Sequence, residues 1–227
     1  ADCTLNPEAL RELDAALDGA GAVQAAVRSR AAGVPAGYVA AVGAAVDRAA
    51  AAGFDRLGIS VPLRGTGMAF RRSVLERVPW RAFGPVEDAE YAERLRAAGV
   101  RVRSAGRAVV SCDAPAAADL WAQRRRWRSA ARGRLVRSKP LVLAHLAAAA
   151  AVAAGSGLAF AVVWAAALVA LTAGVYLRAV AEVGWRPRLL AAAPLIVARL
   201  GWLTLGGLFR GPAAWVRTPR PAGGQPA

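Results

Sequence analysis

The chain has 227 residues, 56% of them hydrophobic, and a formal net charge of +15. That length suits one ordinary domain plus extra segments. The charge invites a nucleic-acid partner, but its distribution excludes that reading. Eight positive and no acidic residues lie in 124–139, directly ahead of residues 140–177, where no Asp, Glu, Lys or Arg occurs. A basic flank on an apolar stretch is the positive-inside pattern of a membrane protein and needs no nucleic acid to explain it.

The chain opens on Ala1-Asp2-Cys3 without an initiator Met, so its natural N-terminus is expected upstream. No signal peptide is visible. Cys3 and Cys112 show no metal or disulfide-framework spacing, and a cytoplasmic face would keep both reduced. Asn6-Pro7-Glu8 predicts a helix start with Asn6 as N-cap, and Leu10, Leu13 and Leu17 fall on one face. Gly19-Ala20-Gly21 ends that helix. Residues 22–27 predict a strand, and the Ala- and Gly-rich 31–53 a helix. Residues 63–70 contain Arg64-Gly65-Thr66-Gly67-Met68, whose two glycines mark a turn where backbone closely approaches a ligand or another segment. Residues 73–78 predict a short helix. A loop with Pro79, Gly84 and Pro85 then leads to Glu87-Asp88. Tyr91, Leu95 and Ala98 mark the apolar face of a helix ending at Gly99. Val100 and Val102 alternate with Arg101 and Arg103 as in a half-exposed strand, and 108–112 predict a buried one.

Residues 116–139 read as a basic interfacial helix with Leu120, Trp121 and Trp127. The 38 uncharged positions of 140–177 are about twice the ~20 residues of one transmembrane helix. Two spans over 140–178 are expected, turning at Gly155-Ser156-Gly157. A single alanine-rich hairpin buried in a soluble protein is the alternative, but a core helix has no reason to be apolar on every face for so long. Residues 178–188 read as a polar loop. Residues 189–209 are apolar but interrupted by Pro194 and Arg199. A helix or broken helix in the membrane interface is expected there, since a charge inside the bilayer is costly. The tail with Arg217 and Arg220 then stays cytoplasmic.

Three places can carry chemistry. Asp88 stands at a loop-to-helix junction, where the helix dipole favours a carboxylate; one carboxylate there suits a general base that takes a hydroxyl proton. A plain acidic pair at a helix start reads the same residues without function. Gln123-x-x-Arg126-Trp127 puts an amide, a guanidinium and an indole on one helix face. The arginine can hold a diphosphate leaving group through paired hydrogen bonds, and the ring can take the apolar side of a sugar. An amphipathic interfacial helix is the plainer reading. Asp2 is a possible metal ligand. His145 and Arg199 read as an ordinary packed or interfacial histidine and a snorkelling charge.

Together these segments resemble the membrane-embedded family 2 glycosyltransferases that include cellulose, chitin and hyaluronan synthases. Ala1-Asp2-Cys3 is similar to the end of the family's Asp-x-Asp motif, with the first Asp expected just ahead of Ala1. Residues 64–71 resemble its Gly-rich acceptor-side segment, Val86-Glu87-Asp88 with 94–99 its base segment, and Gln123-x-x-Arg126-Trp127 its C-terminal signature, after which membrane helices follow. The tail 215–220 also resembles that of smaller relatives.

The resemblance implies an α/β GT-A fold on the cytoplasmic face of the cell (inner) membrane, its C-terminal portion being residues 1–115, with the membrane helices at 140–178 and a loop, third membrane or interfacial segment and tail at 179–227. It implies a nucleotide-sugar donor, a glycan or lipid acceptor, contact with membrane lipids, and Mg²⁺ or Mn²⁺ as cofactor. By residue, it implies Asp2 at the metal, Asp88 as base, Gln123 and Arg126 at the diphosphate, and Trp127, Gly65, Thr66, Gly67 and Glu87 on the acceptor side. The donor-binding half is expected upstream of Ala1, and these 227 residues alone are expected to be inactive. A catalytically silent membrane scaffold or partner subunit derived from such an enzyme is the alternative function. A small basic transporter does not account for residues 1–115.

Overall fold

The computed structural model describes residues 3–30, 33–84, 86–114, 120, 121, 123, 150, 154, 155, 158–196 and 198. It is mixed α/β, as expected. A four-stranded sheet has the order β1-β4-β2-β3, formed by β1 (Cys3–Leu5), β2 (Ala22–Arg30), β3 (Met68–Phe70) and β4 (Val102–Asp113). β2 and β4 run parallel at its centre, and β1 and β3 are antiparallel edges.

Alternation along β2 separates two cores. Ala22 faces Val102, Tyr91 and Leu95 on one side of the sheet. Val23 and Ala25 face Ala9 and Leu13 on the other. α1 (Ala9–Leu17) therefore covers one face; α3 (Arg72–Arg77) and α4 (Glu87–Ala97) cover the other. Burial of these aliphatic and aromatic side chains is the main source of stability, at roughly 25 cal/mol per Å² of apolar surface removed from water.

Several local expectations change. Asn6 does not cap α1, whose N-cap residue is Glu8. Instead its Oδ1 accepts the Val109 N–H at 2.8 Å and its own N–H donates to the Val109 carbonyl at 3.1 Å, so it ties the end of β1 to β4. Leu13 is buried, whereas Leu10 is 73% exposed; one short helix against a sheet covers only a narrow stripe. The two strands expected around Val100–Arg103 and 108–112 are one strand. Ala25 pairs with Ala105 but Ala26 pairs with Val109, so 106–108 bulge from the ladder without ending it. Val100 is buried ahead of the strand, and Ala98 is exposed.

The two cysteines, expected reduced, form a disulfide. Antiparallel pairing of β1 and β4 places Cys3 directly opposite Cys112, with Cα atoms 4.0 Å apart. Their separation of 109 residues says nothing about that register, which only the sheet supplies.

α2 (Pro35–Arg56) lies along β2 and buries Tyr38, Ala41, Val42 and Ala45. α5 (Leu158–Val183) docks its last turns on α2, where Ala179 and Val180 meet Tyr38, Val42 and Ala45. The Tyr38 hydroxyl donates to the Gly184 carbonyl at 2.9 Å, and Arg48 pairs with Glu182. Residues 178–183, expected as loop, are thus the docked end of a helix. α6 (Pro187–Ala191) follows, and the helix breaks at Ala192 before resuming at Ala193-Pro194; most of the interfacial segment expected over 189–209 lies outside the described residues. The first expected membrane span falls almost wholly outside the described residues. Among the described residues, no helix is long and apolar enough to cross a membrane. The membrane helices expected over 140–178 are therefore not shown.

Candidate active site

Asp88 is the second residue of α4, half-buried, and its Oδ1 accepts the Ala89 N–H at 2.7 Å. α4 starts here for identifiable reasons. Glu87, Asp88 and Glu90 occupy its first turn and Arg94 and Arg96 its last, each sign at the favoured end of the helix dipole. Glu90 Oε2 accepts the Gly84 N–H at 3.1 Å, tethering the incoming loop. One turn beyond Asp88, Tyr91 is fully buried and fixes the helix in place. Its ring meets Phe70 edge-on at 5.3 Å and Trp80 at 4.3 Å, and its hydroxyl donates to the Val78 carbonyl at 2.7 Å. Burial raises the Tyr91 pKa above its usual value, with the nearby Arg94 charge acting in the opposite direction.

The glycine segment meets this carboxylate. Gly65 has φ +71° and Gly67 φ +66°, left-handed conformations that favour glycine. A Cβ on Gly65 would lie 3.5 Å from Asp88 Oδ2. A Cβ on Gly67 would lie 2.6 Å from Val110 Cγ2 and 2.8 Å from Ala25 Cβ. One glycine thus forms a wall beside the carboxylate and the other lets the loop lie flat on the sheet. The close approach expected from the two glycines occurs, with Asp88 as the neighbour of Gly65. Arg64 turns away and pairs with Asp47 of α2 at 2.8 Å.

Gln24 holds this loop and was not singled out by sequence reasoning. It is the polar side chain buried in the described core, only 3% exposed. Its Oε1 accepts the Arg64 N–H at 2.9 Å; its Nε2 donates to the Thr66 carbonyl at 2.8 Å and to the Ala25 carbonyl at 3.0 Å. The available signal was a lone amide in the apolar run Ala22-Val23-Gln24-Ala25-Ala26-Val27.

Of the remaining predicted site residues, Glu87 is exposed at the first position of α4, and Thr66 is half-buried beside Gly65. Gln123 is helical and half-buried. Asp2, Arg126 and Trp127 lie outside the described residues. Among the described residues no group of three or more His, Cys, Asp or Glu could hold a metal ion. What the geometry offers is a half-buried carboxylate at the start of a helix, with the side-chain-free backbone of Gly65 beside it.

No curated protein matches the chain. The family described as Glycosyl transferase family group 2 matches residues 1–206. That match takes in the β1 segment, the glycine loop, the Asp88 helix, the Gln123 segment and α5. The chain belongs to the family 2 glycosyltransferases, and its chemistry is glycosyl transfer.

Proposed function

We propose that the protein is an inverting glycosyltransferase that moves a sugar from a nucleotide-diphosphate sugar to a glycan, glycolipid or lipid-carrier acceptor at the cytoplasmic face of the cell membrane, with Asp88 as its base. The observation that carries this reading is the approach of Gly65 to Asp88 Oδ2. It puts a residue without a side chain directly beside that carboxylate. In the proposed step, Asp88 takes the proton of an acceptor hydroxyl as that oxygen attacks the anomeric carbon. The bond from that carbon to the phosphate oxygen breaks, and its electron pair leaves with the nucleoside diphosphate. One in-line displacement inverts the anomeric centre.

Arg126 and Gln123 are assigned to the departing diphosphate, where a guanidinium stabilises developing charge. Trp127, Gly65, Thr66, Gly67 and Glu87 are assigned to the acceptor side. Mg²⁺ or Mn²⁺ at Asp2 would neutralise the diphosphate when bound. The described residues lack a cluster able to hold such an ion, so no step here depends on it. The GT-A assignment of residues 1–115 is supported by the mixed sheet flanked by helices on both faces.

Membrane attachment is supported by the uncharged run 140–177 and the basic run before it. It is also supported by α5, which leaves Val162, Val163, Leu171, Tyr176 and Leu177 exposed on several sides, a surface suited to lipid. The test is release of nucleoside diphosphate from a panel of donors by the full-length membrane protein. Asp88→Asn should lower transfer by about 10²- to 10⁴-fold, the usual contribution of general base catalysis, with the fold unchanged by circular dichroism. Turnover unaltered by Asp88→Asn would remove Asp88 as the base, whereas no nucleoside diphosphate release from any donor by the parent protein would favour the silent scaffold.

A further inference from the structure

We propose that Gln24 is a positioning residue for glycosyl transfer: from the centre of the sheet, its buried amide sets the glycine loop at the distance from Asp88 that the reaction needs. The inference rests on the reading of Asp88 as base. Gln24 lies on β2 and acts through the loop. Its amide bridges two loop positions, accepting from the Arg64 N–H at 2.9 Å and donating to the Thr66 carbonyl at 2.8 Å. The intervening residue is Gly65, the one that faces Asp88 Oδ2. These partners also determine the direction of the amide, because only an NH₂ group can satisfy carbonyls and only a carbonyl oxygen can take the Arg64 N–H.

One backbone hydrogen bond, from the Ala25 N–H to the Gly67 carbonyl at 2.8 Å, secures the far end of the loop. At the Arg64–Thr66 end, the Gln24 side chain substitutes for a strand, since β3 begins only at Met68. A loop of two left-handed glycines has many conformations of similar energy, so removing the amide frees the segment that walls the base. A buried amide is also an expensive choice for a core position unless its hydrogen bonds are all made. An aliphatic residue would fill the same volume but could not hold the loop.

The experiment uses the full-length membrane protein with a donor that supports turnover, and three variants: Gln24→Met, Gln24→Glu and Gly65→Ala. Gln24→Met keeps the volume and removes every hydrogen bond. It should lower kcat for transfer about 10²-fold, the scale of an ångström-size misplacement of reacting groups, and leave KM for the donor unchanged. Gln24→Glu supplies the acceptor at any pH but a donor only when its carboxyl is protonated, which burial favours. Its kcat should recover towards the parent value as pH falls and decline as pH rises, a limb absent from the Gln24→Met profile. Combined with Gly65→Ala, the Gln24→Met effect should be less than multiplicative, because both act through loop placement.

A Gln24→Met protein with a lowered melting temperature but full kcat would make the amide merely structural and overturn the proposal. So would a Gln24→Glu profile without the added limb. If Asp88→Asn retains turnover, the assignment of the base fails, and this inference with it. If Asp88→Asn is inactive while Gln24→Met has full kcat, this inference alone fails.

Discussion

Gly67 has no room for a side chain. Its φ of +66° disfavours any other residue, and an added methyl would meet Val110 and Ala25 well inside contact distance. Gly67→Ala should therefore destabilise the protein by about 1–3 kcal/mol from overpacking alone, with about 1–2 kcal/mol more from the left-handed backbone. Thermal or denaturant unfolding measures it. Tyr91 makes a pH prediction at the same scale. Its folded pKa is raised by burial, so folding favours the protonated phenol. The contribution is fully present below the unfolded pKa near 10 and is lost as pH rises through the higher folded value. Stability measured between about pH 9 and 12 should fall with a slope that Tyr91→Phe removes, although that variant also loses about 1 kcal/mol with its hydrogen bond to Val78. The exposed Arg30–Asp113 pair acts at the other end of the scale. Its hydrogen bond lowers the Asp113 pKa, so any stabilisation it brings is present at neutral pH and disappears in acid.

Among the elements, α2 links the site to α5. Its Asp47 pairs with Arg64 of the glycine loop, while its neighbour Arg48 pairs with Glu182 of α5 and donates to the Val27 carbonyl of β2 at 3.0 Å. Tyr38, three turns earlier, closes the other end of the α2–α5 contact through Gly184. Tyr38→Phe keeps the ring and removes this hydrogen bond, a loss of about 1 kcal/mol. The Val183 and Gly184 amides should then exchange with solvent about fivefold faster through local opening, while amides in β2 keep their rates. Hydrogen exchange resolved by residue distinguishes that local effect from a global one.

At the scale of the whole molecule, the disulfide joins the start of the described chain to the end of β4. It closes a loop of 109 residues, for which the chain-entropy relation gives a stabilisation of about 4.7 kcal/mol. Cys3→Ser, or a dithiol reductant applied to the parent protein, should lower the unfolding midpoint accordingly. The reductant should leave Cys3→Ser unaffected. The pairing also bears on compartment, since disulfides persist mainly where the surroundings are oxidising. Thiol counting on protein taken directly from cells, with alkylation before lysis, determines which form is present on the face where the site operates.

Much of this protein is determined by local sequence. Pro35, the acidic start and Gly99 end of α4, and the paired glycines at 65 and 67 are short-range signals, because helix ends and left-handed turns depend on a few adjacent residues. The family signature was legible for the same reason, as were the mixed α/β class and the candidacy of Asp88. Tertiary structure decided whatever depends on partners distant in the chain. Asn6 could not be known to serve β4 rather than its own helix until Val109 lay opposite it. Cys3 could not be paired before the β1–β4 register existed. Gln24 was one polar letter in an apolar strand, and only the return of residues 64–67 to its side showed what the amide holds. Local conformation is dictated by neighbouring residues; register, cross-strand bonds and the wall beside Asp88 arise from contacts between segments some 20 to 110 residues apart, which no spacing along the chain encodes.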